Sequence, residues 1–230
     1  MHGLPSAYRA LIGDPVIAPP VAGPFFHNPA RPCSLFTSVS GRRVEVTLRL
    51  FGRGSIWSVE CEQALPRAIQ LRGLSVAPLA ATFARPQVDN IDVRTAVAAR
   101  RPPREAVTLT FDSPVALNRQ GGLAVDLDAL VGSICARAAS VLGWSGFAMA
   151  DDDGAVVGSI AALSLDRLVA RPQSWARHSM RQGRVEYLTG LLGQVEIRGV
   201  DPAVSALLDM AQVAGIGSHT TVGMGRFSLS

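Results

Sequence analysis

Apolar and polar residues follow regular spacings through the second half of the chain. Alternation with a period of two predicts strands, and recurrence every three or four residues predicts helices. The predicted elements are, in chain order, the strand Ala106–Phe111, the helix Asp126–Leu142, the strands Val156–Leu168 and Val185–Ile197, the helix Ala203–Ala214 and the strand Val222–Leu229. This βαββαβ order is typical of a ferredoxin-like, RRM-type domain, an antiparallel sheet with both helices on one face.

The ends of the two helices carry suitable residues. Asp126 is predicted to cap the first helix, and Asp201 followed by Pro202 opens the second. Gly215 is predicted to end the second helix, because glycine accepts the left-handed backbone common at that position.

The first half of the chain is patterned less clearly. Val44–Phe51 alternates apolar and polar residues and is predicted to form a half-buried strand. The stretch rich in proline and glycine up to residue 40 is predicted to be irregular. The other predicted elements here are a short helix at Leu4–Ile12, a helix at Val59–Leu71 that Pro66 bends or ends, and a hairpin of Leu74–Ala84 with Val88–Val93.

Ala98–Ala106 (AARRPPREA) is the best candidate for a linker. It combines two prolines and three arginines and shows no periodicity. It divides the 230 residues into an N-terminal domain at 1–103 and a C-terminal domain at 104–230. Both halves have the size of a small domain.

Composition excludes several classes of protein. A chain that is 48% hydrophobic and 17% charged can bury a core and is not disordered. No apolar run is long and uninterrupted enough to cross a bilayer, and no secretory signal is apparent. Cys33, Cys61 and Cys135 are scattered and include no CxxC pair, which argues against a zinc ribbon or a disulfide framework. A cytoplasmic protein without a metal or other cofactor is expected.

The basic residues are unusual in kind. All 22 are arginine, and the chain contains no lysine. The net charge of +4 and the pI of about 9.6 favour an anionic partner. Guanidinium groups bind phosphate in a bidentate manner and stack on bases. The lack of lysine excludes Schiff-base and P-loop lysine chemistry.

Gly215–Leu229 (GIGSHTTVGMGRFSL) is the most distinctive segment, with two GxG pairs between a helix and a strand. Such glycine density lets backbone N–H groups approach a ligand. The alternative is a helix C-cap followed by a glycine-rich hairpin. A dinucleotide fingerprint is excluded, because that motif follows a strand and opens a helix.

A second segment is basic and carries aromatic residues. Arg171–Arg184 contains four arginines, His178 and no acidic residue, with Trp175 inside it and Tyr187 nearby. This combination suits single-stranded nucleic acid, because guanidinium groups pair with phosphates and rings stack on bases. A solvated basic loop is an equal alternative. The run Asp151–Gly154 is interpreted as a solvated turn rather than a metal site.

The two segments together resemble a known family. WARHSMRQ, then LTGLLGQVEIRG, a helix and GIGSHTTVGMGRFSL are similar to the C-terminal domain of CRISPR-associated repeat-processing endoribonucleases of the RAMP superfamily. Val107–Pro114 (VTLTFDSP) resembles the first strand of that domain, and Val44–Gly52 resembles the last part of the family's first domain. The resemblance covers residues 105–230 well and 40–85 loosely.

The resemblance implies an α+β fold of two ferredoxin-like domains in tandem, with RNA held over the cleft between them. The family opens with a strand and a helix that precede the segment resembling Leu4–Gly13. The N-terminal domain here is therefore expected to be degenerate or to begin upstream of Met1.

The resemblance also implies metal-independent cleavage of CRISPR repeat RNA. The ribose 2′-hydroxyl attacks the adjacent phosphate and leaves a 2′,3′-cyclic phosphate and a 5′-hydroxyl. Such a reaction needs a base, an acid and cations on the phosphorane. Histidine is the natural base, so His178 is the first catalytic candidate, followed by His219 and His27, with His2 last.

The RNA-binding candidates come from both segments. They are Arg171, Trp175, Arg177, Arg181, Gln182 and Arg184 in the basic segment, and Gly215, Gly217, Ser218, Thr220, Thr221, Gly223, Gly225 and Arg226 in the glycine-rich segment. The expected partner is CRISPR repeat RNA or mature crRNA, bound by a monomer or homodimer without membrane attachment. The alternative function is a noncatalytic RNA-binding RAMP subunit of a CRISPR effector complex, whose other subunits would then be partners.

Overall fold

The structure, a computed structural model, describes residues 32–41, 43–64, 103–119, 122–123, 126–146, 155–179 and 184–230. The strands are β1 (Cys33–Ser40), β2 (Arg43–Leu50), β3 (Arg104–Phe111), β4 (Asn118–Arg119), β5 (Gly122–Leu123), β6 (Ser164–Ser179), β7 (Arg184–Val200) and β8 (Phe227–Leu229). The longer helices are α1 (Leu127–Ser145), α2 (Ala155–Ala161) and α3 (Pro202–Ala214). Short 3-10 helices lie at Gly52–Trp57, which runs into a helical stretch at 58–64, and at Thr220–Val222.

Four strands form an antiparallel sheet in the order β6–β7–β3–β8. Of these four strands, β3 comes first along the chain, yet it lies inside the sheet. Its Thr110 pairs with Gln194 of β7, and its Phe111 pairs with Phe227 of β8. With α1 and α3 in sequence between these strands, the order is that of a ferredoxin-like domain. The βαββαβ prediction is confirmed.

One face of this sheet carries the core. Along β3, Val107, Leu109 and Phe111 are buried, because alternate residues of a strand point to the same face. They pack with buried residues of α1 and α3 in one hydrophobic cluster, where each large side chain contributes roughly 1.5–3 kcal/mol. The opposite face carries polar groups, such as Thr110, whose hydroxyl accepts a hydrogen bond from Gln194 at 3.3 Å.

Helix α1 begins where the sequence predicts, but it continues beyond the predicted end at Leu142 to Ser145. Asp126 caps it by accepting a hydrogen bond from the N–H of Ala129 at 2.7 Å, and Gly146 ends it with φ 78°. By length and hydropathy the helix could span a membrane, but 61% of that window is buried within the fold. We therefore interpret α1 as a core helix.

The predicted strand Val156–Leu168 is wrong in its first half. Residues Ala155–Ala161 form α2, and β6 begins only at Ser164. Val156 and Ile160 are both buried, and their spacing of four places them on one face of a helix. Burial against the core thus outweighs the strand preference of β-branched residues.

Two further predictions need correction at their boundaries. The predicted irregular stretch before residue 40 contains a strand, β1, which pairs with β2 in the N-terminal hairpin. The predicted strand Val222–Leu229 is reduced to β8, because Gly223 and Gly225 have φ values of 96° and 85° that no strand adopts.

Other predictions agree where the structure describes them. The predicted strand Val44–Phe51 corresponds to β2, and residues 58–64 begin the predicted helix Val59–Leu71. Outside the described residues lie Leu4–Ile12, Leu74–Ala84, Val88–Val93, Asp151–Gly154 and most of the proposed linker.

Cys135 is expected to be protected from thiol reagents in the folded protein. It is 0% exposed, and burial raises the pKa of its thiol to about 12, whereas Cys33 and Cys61 are partly exposed. A DTNB titration should release the third thiol only after unfolding; equal reactivity of all three in the native protein would contradict this burial. The raised pKa favours folding below pH about 9, and this contribution is lost as the pH rises toward about 12.

Candidate nucleic-acid interface

Strands β6 and β7 continue as a two-stranded arm beyond the four-stranded sheet. The ladder of β3 with β7 ends at Thr110–Gln194, and one further bridge joins Val115 to Leu191. The pairing of β6 with β7 runs on to Ser179. We call residues 171–179 and 184–190 the basic arm. The predicted basic segment is therefore mainly strand rather than loop.

The arm displays charge and one aromatic ring to solvent. Arg171 and Arg184 are exposed, and Tyr187 is 75% exposed. Arg177 lies opposite Glu186 in the strand register, and His178 lies opposite Val185. Arg181 and Gln182 lie outside the described residues.

Trp175 joins the arm to the glycine-rich segment. It is half-buried against a cluster formed by Leu188 of β7, Met224 and Ala116, and Val222 packs on the same cluster. Leu188 lies directly opposite Trp175 in the register. The two segments that the sequence singles out are thus one continuous surface.

We call Gly215–Arg226 the glycine loop. Two of its glycines are required by close backbone approach. A Cβ on Gly217 would lie 2.6 Å from the carbonyl oxygen of Ala116, and one on Gly225 would lie 2.1 Å from that of Ile216. Both residues also have positive φ values, 77° and 85°. Only glycine fits these positions without displacing backbone.

Most amides of the glycine loop donate within the fold. The N–H of Gly217 donates to Oγ of Ser133 at 2.6 Å, and that of Gly225 to the carbonyl of Pro114 at 3.0 Å. Ser218 pairs with Ala116 in a β-bridge, and the Gly215 N–H continues the α3 ladder. These bonds fix the shape of the loop.

His219 stands at the tip of the glycine loop. It is exposed and has φ 65°, which makes it the one non-glycine residue with positive φ in the described part of the chain. Its carbonyl accepts hydrogen bonds from Val222 and Met224 at 3.0 and 3.4 Å. Thr220, by contrast, is buried, and Thr221 is half-buried. The tip thus offers an imidazole on a tightly folded support.

The N-terminal hairpin closes over the other side of the loop. A Cβ on Gly215 would lie 3.2 Å from Cζ of Phe36, and one on Gly223 would lie 3.9 Å from Oγ1 of Thr37. The loop therefore lies between β1 and the basic arm. His27 lies outside the described residues.

Two arginines bring positive charge to this junction. Arg226, at the end of the loop, has its Nε 3.9 Å from Oδ2 of Asp112. Partial burial lowers the pKa of Arg49 in β2, and the nearby charge of Arg226 lowers it further. Both guanidinium groups place positive charge beside the glycine loop.

Sequence reasoning missed Arg49 and Arg137. Arg137 is the only charged residue between Ala129 and Gly146, on the apolar side of α1, and that isolation was the available signal. Its side chain is 8% exposed. Among the described residues, no group of three His, Cys, Asp or Glu side chains is placed to hold a metal ion.

The described residues thus form a ferredoxin-like domain in which a glycine loop meets a basic arm. The sequence matches the family model of CRISPR-associated endoribonuclease Cas6 over residues 109–227. The chain belongs to this family, whose members are CRISPR RNA-processing endoribonucleases. The resemblance drawn from the motifs is confirmed.

Solved Cas6 structures share the fold. Thermus thermophilus Cas6 is 18% identical with a TM-score of 0.58, over 98% of this chain and 89% of its own. Two Cas6 product complexes are 17% identical, one with a TM-score of 0.59 over 98% of this chain and 90% of its own. The other has a TM-score of 0.57 over 91% and 87%. The fold is thus the predicted α+β arrangement of tandem ferredoxin-like domains. No curated protein sequence matches the chain.

Proposed function

We propose that this protein is itself an endoribonuclease that cuts CRISPR repeat RNA in precursor transcripts without a metal ion. The observation that carries the proposal is the packing of Trp175 and Leu188 on Val222 and Met224, which makes the basic arm and the glycine loop one surface. Arginines on both sides of this contact suit a polyanion that runs along the surface. Membership of the Cas6 family supports the same activity.

The chemistry is attack of the ribose 2′-hydroxyl on the adjacent phosphate, giving a 2′,3′-cyclic phosphate and a 5′-hydroxyl. A base removes the 2′ proton, an acid protonates the departing 5′-oxygen, and cations stabilise the phosphorane. Arg226, at the end of the glycine loop, is the proposed cation. Arginine must fill this role because the chain has no lysine.

His178 remains the first candidate for the base, followed by His219 and His27. His178 lies three residues along β6 from Trp175, about 10 Å at the usual rise of a strand. His219 lies three residues before Val222, on the opposite side of the same contact. Both positions are thus within a few residues of this contact along the chain.

The proposed RNA-binding set keeps both segments but divides their roles. The arginines and Trp175 of the arm contact phosphates and bases, and so does Arg226. Ser218, Thr221 and Gly223 form the proposed contact region around His219, and the buried Thr220 supports it from below. Gly215, Gly217 and Gly225 shape the loop, because their N–H groups donate to Ala211, Ser133 and Pro114.

The proposed division into domains is 1–103 and 104–230; β3, the first strand of the four-stranded sheet, begins at Arg104. The proposed partner is CRISPR repeat RNA. Relatives have been solved as a product complex and as a substrate mimic complex, which is consistent with an RNA-bound state. A monomer or homodimer in the cytoplasm is proposed.

Purified protein is expected to cut its repeat RNA in excess EDTA and to leave a 2′,3′-cyclic phosphate. Once product ends identify the cut site, a single 2′-deoxy substitution there should abolish cleavage, because it removes the attacking nucleophile. The same substitution one nucleotide away is the matched control and should be cut normally. Denaturing gels and mass spectrometry of the product ends measure both results.

Two outcomes would overturn the proposal. Cleavage that requires Mg²⁺, or that leaves a 3′-hydroxyl, would exclude the 2′-hydroxyl mechanism. Tight, salt-dependent binding of repeat RNA with no cleavage would favour the alternative, a noncatalytic RNA-binding subunit of a CRISPR effector complex.

A further inference from the structure

The carboxyl end of α3 is closed by arginines from two other elements. The last four carbonyls of a helix have no partner within it. Here Ala211 accepts from the N–H of Gly215 at 2.7 Å. Nη1 of Arg49 donates to Gln212 and Val213 at 3.3 and 2.6 Å, and Nε of Arg137 donates to Ala214 at 3.1 Å. All four carbonyls are thus satisfied at the point where the glycine loop begins.

Arg137 also reaches the N-terminal hairpin. Its Nη2 donates to the carbonyl of Cys33 in β1 at 3.0 Å, and its guanidinium lies 5.6 Å from the ring centre of Phe51, just after β2. Phe51 packs with Val141 and Ala214 in a small buried cluster. One buried cation therefore bonds to α3 and to β1 at once.

Arg49 makes the matching connection from the hairpin. It belongs to β2, its guanidinium lies 5.2 Å from the ring centre of Phe36 in β1, and it donates to the end of α3. The ring of Phe36 in turn lies against Gly215. The guanidinium groups of Arg137, from α1, and Arg49, from β2, thus bind the same end of α3. Positive charge is favourable there because of the helix dipole.

We infer that Arg137 and Arg49 are positioning residues, which hold the glycine loop and His219 in register with the N-terminal hairpin. This inference rests on the proposed function for its effect on cleavage, but its structural half does not. Neither side chain needs to touch RNA. Their role is to fix the position of Gly215, where the glycine loop begins. Because hydrogen bonds within the fold hold the shape of the loop, a fixed start also fixes the position of His219 at its tip.

Lysine cannot replace arginine at position 137. The planar guanidinium directs separate N–H groups at Ala214 and Cys33, whereas an ammonium is a compact, strongly hydrated charge on a flexible stem. Burial already lowers the pKa of Arg137 to about 10, so this site penalises any poorly bonded cation. Arg137→Lys keeps the positive charge but removes the planar guanidinium. It therefore tests whether the two directed hydrogen bonds, rather than the charge alone, hold the loop.

The experiment compares Arg137→Lys with Ile160→Ala. Ile160 is buried in α2, and that helix packs near the amino end of α3, where Ser159 donates to the capping carboxylate of Asp201. Ile160→Ala is therefore a destabilised control that acts beside the amino end of α3, whereas Arg137 acts at its carboxyl end. Hydrogen exchange is measured on the full-length protein, well below both unfolding midpoints. Two further quantities are measured in parallel. One is the single-turnover rate of repeat-RNA cleavage at saturating protein, and the other is the affinity for the RNA.

In Arg137→Lys, exchange of the Gly217 and Gly225 amides should accelerate by about 10- to 100-fold, the size expected for losing one charge-assisted hydrogen bond. Exchange at Val204 and Ser205 should stay near wild type. Cleavage at saturation should fall at least about 10-fold, since misplacement of a catalytic group by about 1 Å has effects of this order or larger. RNA affinity should change less than about threefold, because phosphate contacts dominate it. In Ile160→Ala, exchange should accelerate at Val204 and Ser205 and stay near wild type at Gly217 and Gly225. The cleavage rate of this variant should equal that of the wild type.

Equal exchange across α3 and the loop in Arg137→Lys would overturn the inference, as would a wild-type cleavage rate in that variant. If Arg137→Lys does not fold, Arg49→Lys gives the same comparison, because Arg49 is only partly buried. If the wild-type protein does not cut repeat RNA, the proposed function fails, and hydrogen exchange alone still decides whether the arginines hold the loop.

Discussion

Replacing His178 by alanine is expected to lower the single-turnover rate of repeat-RNA cleavage by about 10²–10⁴-fold, the usual contribution of a general base. His178 lies on the basic arm, opposite Val185 in the strand register. It is three residues along β6 from Trp175, which packs on the glycine loop. A base there would meet an RNA strand that the arm's arginines hold by its phosphates. Pre-steady-state cleavage with protein in excess over RNA measures the chemical step directly.

The matched variant is His219→Asn. His219 has φ 65°, a left-handed conformation that asparagine also tolerates, so this substitution removes the imidazole without straining the loop. If His178 is the base, His219→Asn should weaken cleavage much less than His178→Ala. An unchanged rate in His178→Ala would exclude it, and the role would then fall to His219 or His27. Unchanged RNA affinity in each variant would show that binding is intact.

Gly225→Ala is expected to destabilise the protein by about 2–6 kcal/mol. An alanine there combines a positive φ, which costs about 1–3 kcal/mol for a non-glycine residue, with overpacking of about 1–3 kcal/mol. The clash is with backbone, since the new Cβ would lie 2.1 Å from the carbonyl oxygen of Ile216. That oxygen cannot move away easily, because its residue is fixed by the bond from the N–H of Ile216 to Gly225 at 2.9 Å. Urea denaturation monitored by circular dichroism gives the free energy of unfolding.

Gly132→Ala is the matched control for this substitution. Gly132 lies in the middle of α1 with nothing within 4 Å of a new Cβ, so alanine should stabilise the helix by about 0.5–1 kcal/mol. The two variants add the same methyl group to the same chain with opposite expected signs. A free energy of unfolding for Gly225→Ala within about 0.5 kcal/mol of wild type would contradict the strained loop geometry.

The sequence predicts the C-terminal domain well because its elements are strongly periodic. Val107, Leu109 and Phe111 mark β3 by alternation, and Asp126 and Asp201 mark the helix starts by their capping chemistry. Helix α2 was missed because its apolar, β-branched run suits either a strand or a helix, and only contact with the core decides. β1 was missed for a similar reason, since its pairing with β2 is not visible in a stretch rich in proline and glycine.

The candidate site divides in the same way. Both segments proposed to bind RNA stand out in the sequence, the arm by its arginines and the loop by its glycines, and the motif resemblance indicated the family. Their contact through Trp175 and Met224 needs the folded chain. Arg49 and Arg137 donate hydrogen bonds to carbonyls that are 163 and 77 residues away in sequence. The spacing of neighbouring residues therefore cannot predict these contacts. A lone charge inside an apolar helix face is the most that such a residue shows.

The central place of β3 in the sheet has a consequence for how the domain assembles. β3 is the first of the four strands along the chain, yet both of its neighbours, β7 and β8, follow long after it. The β6–β7 pairing is local, so it can nucleate rapidly, whereas insertion of β3 must close a large loop. During synthesis, the backbone edge of β3 at Leu109–Phe111 therefore stays unpaired until β8, Phe227–Leu229, has emerged. Because an unpaired strand edge favours aggregation, we expect the nascent chain to be most prone to aggregate in that interval.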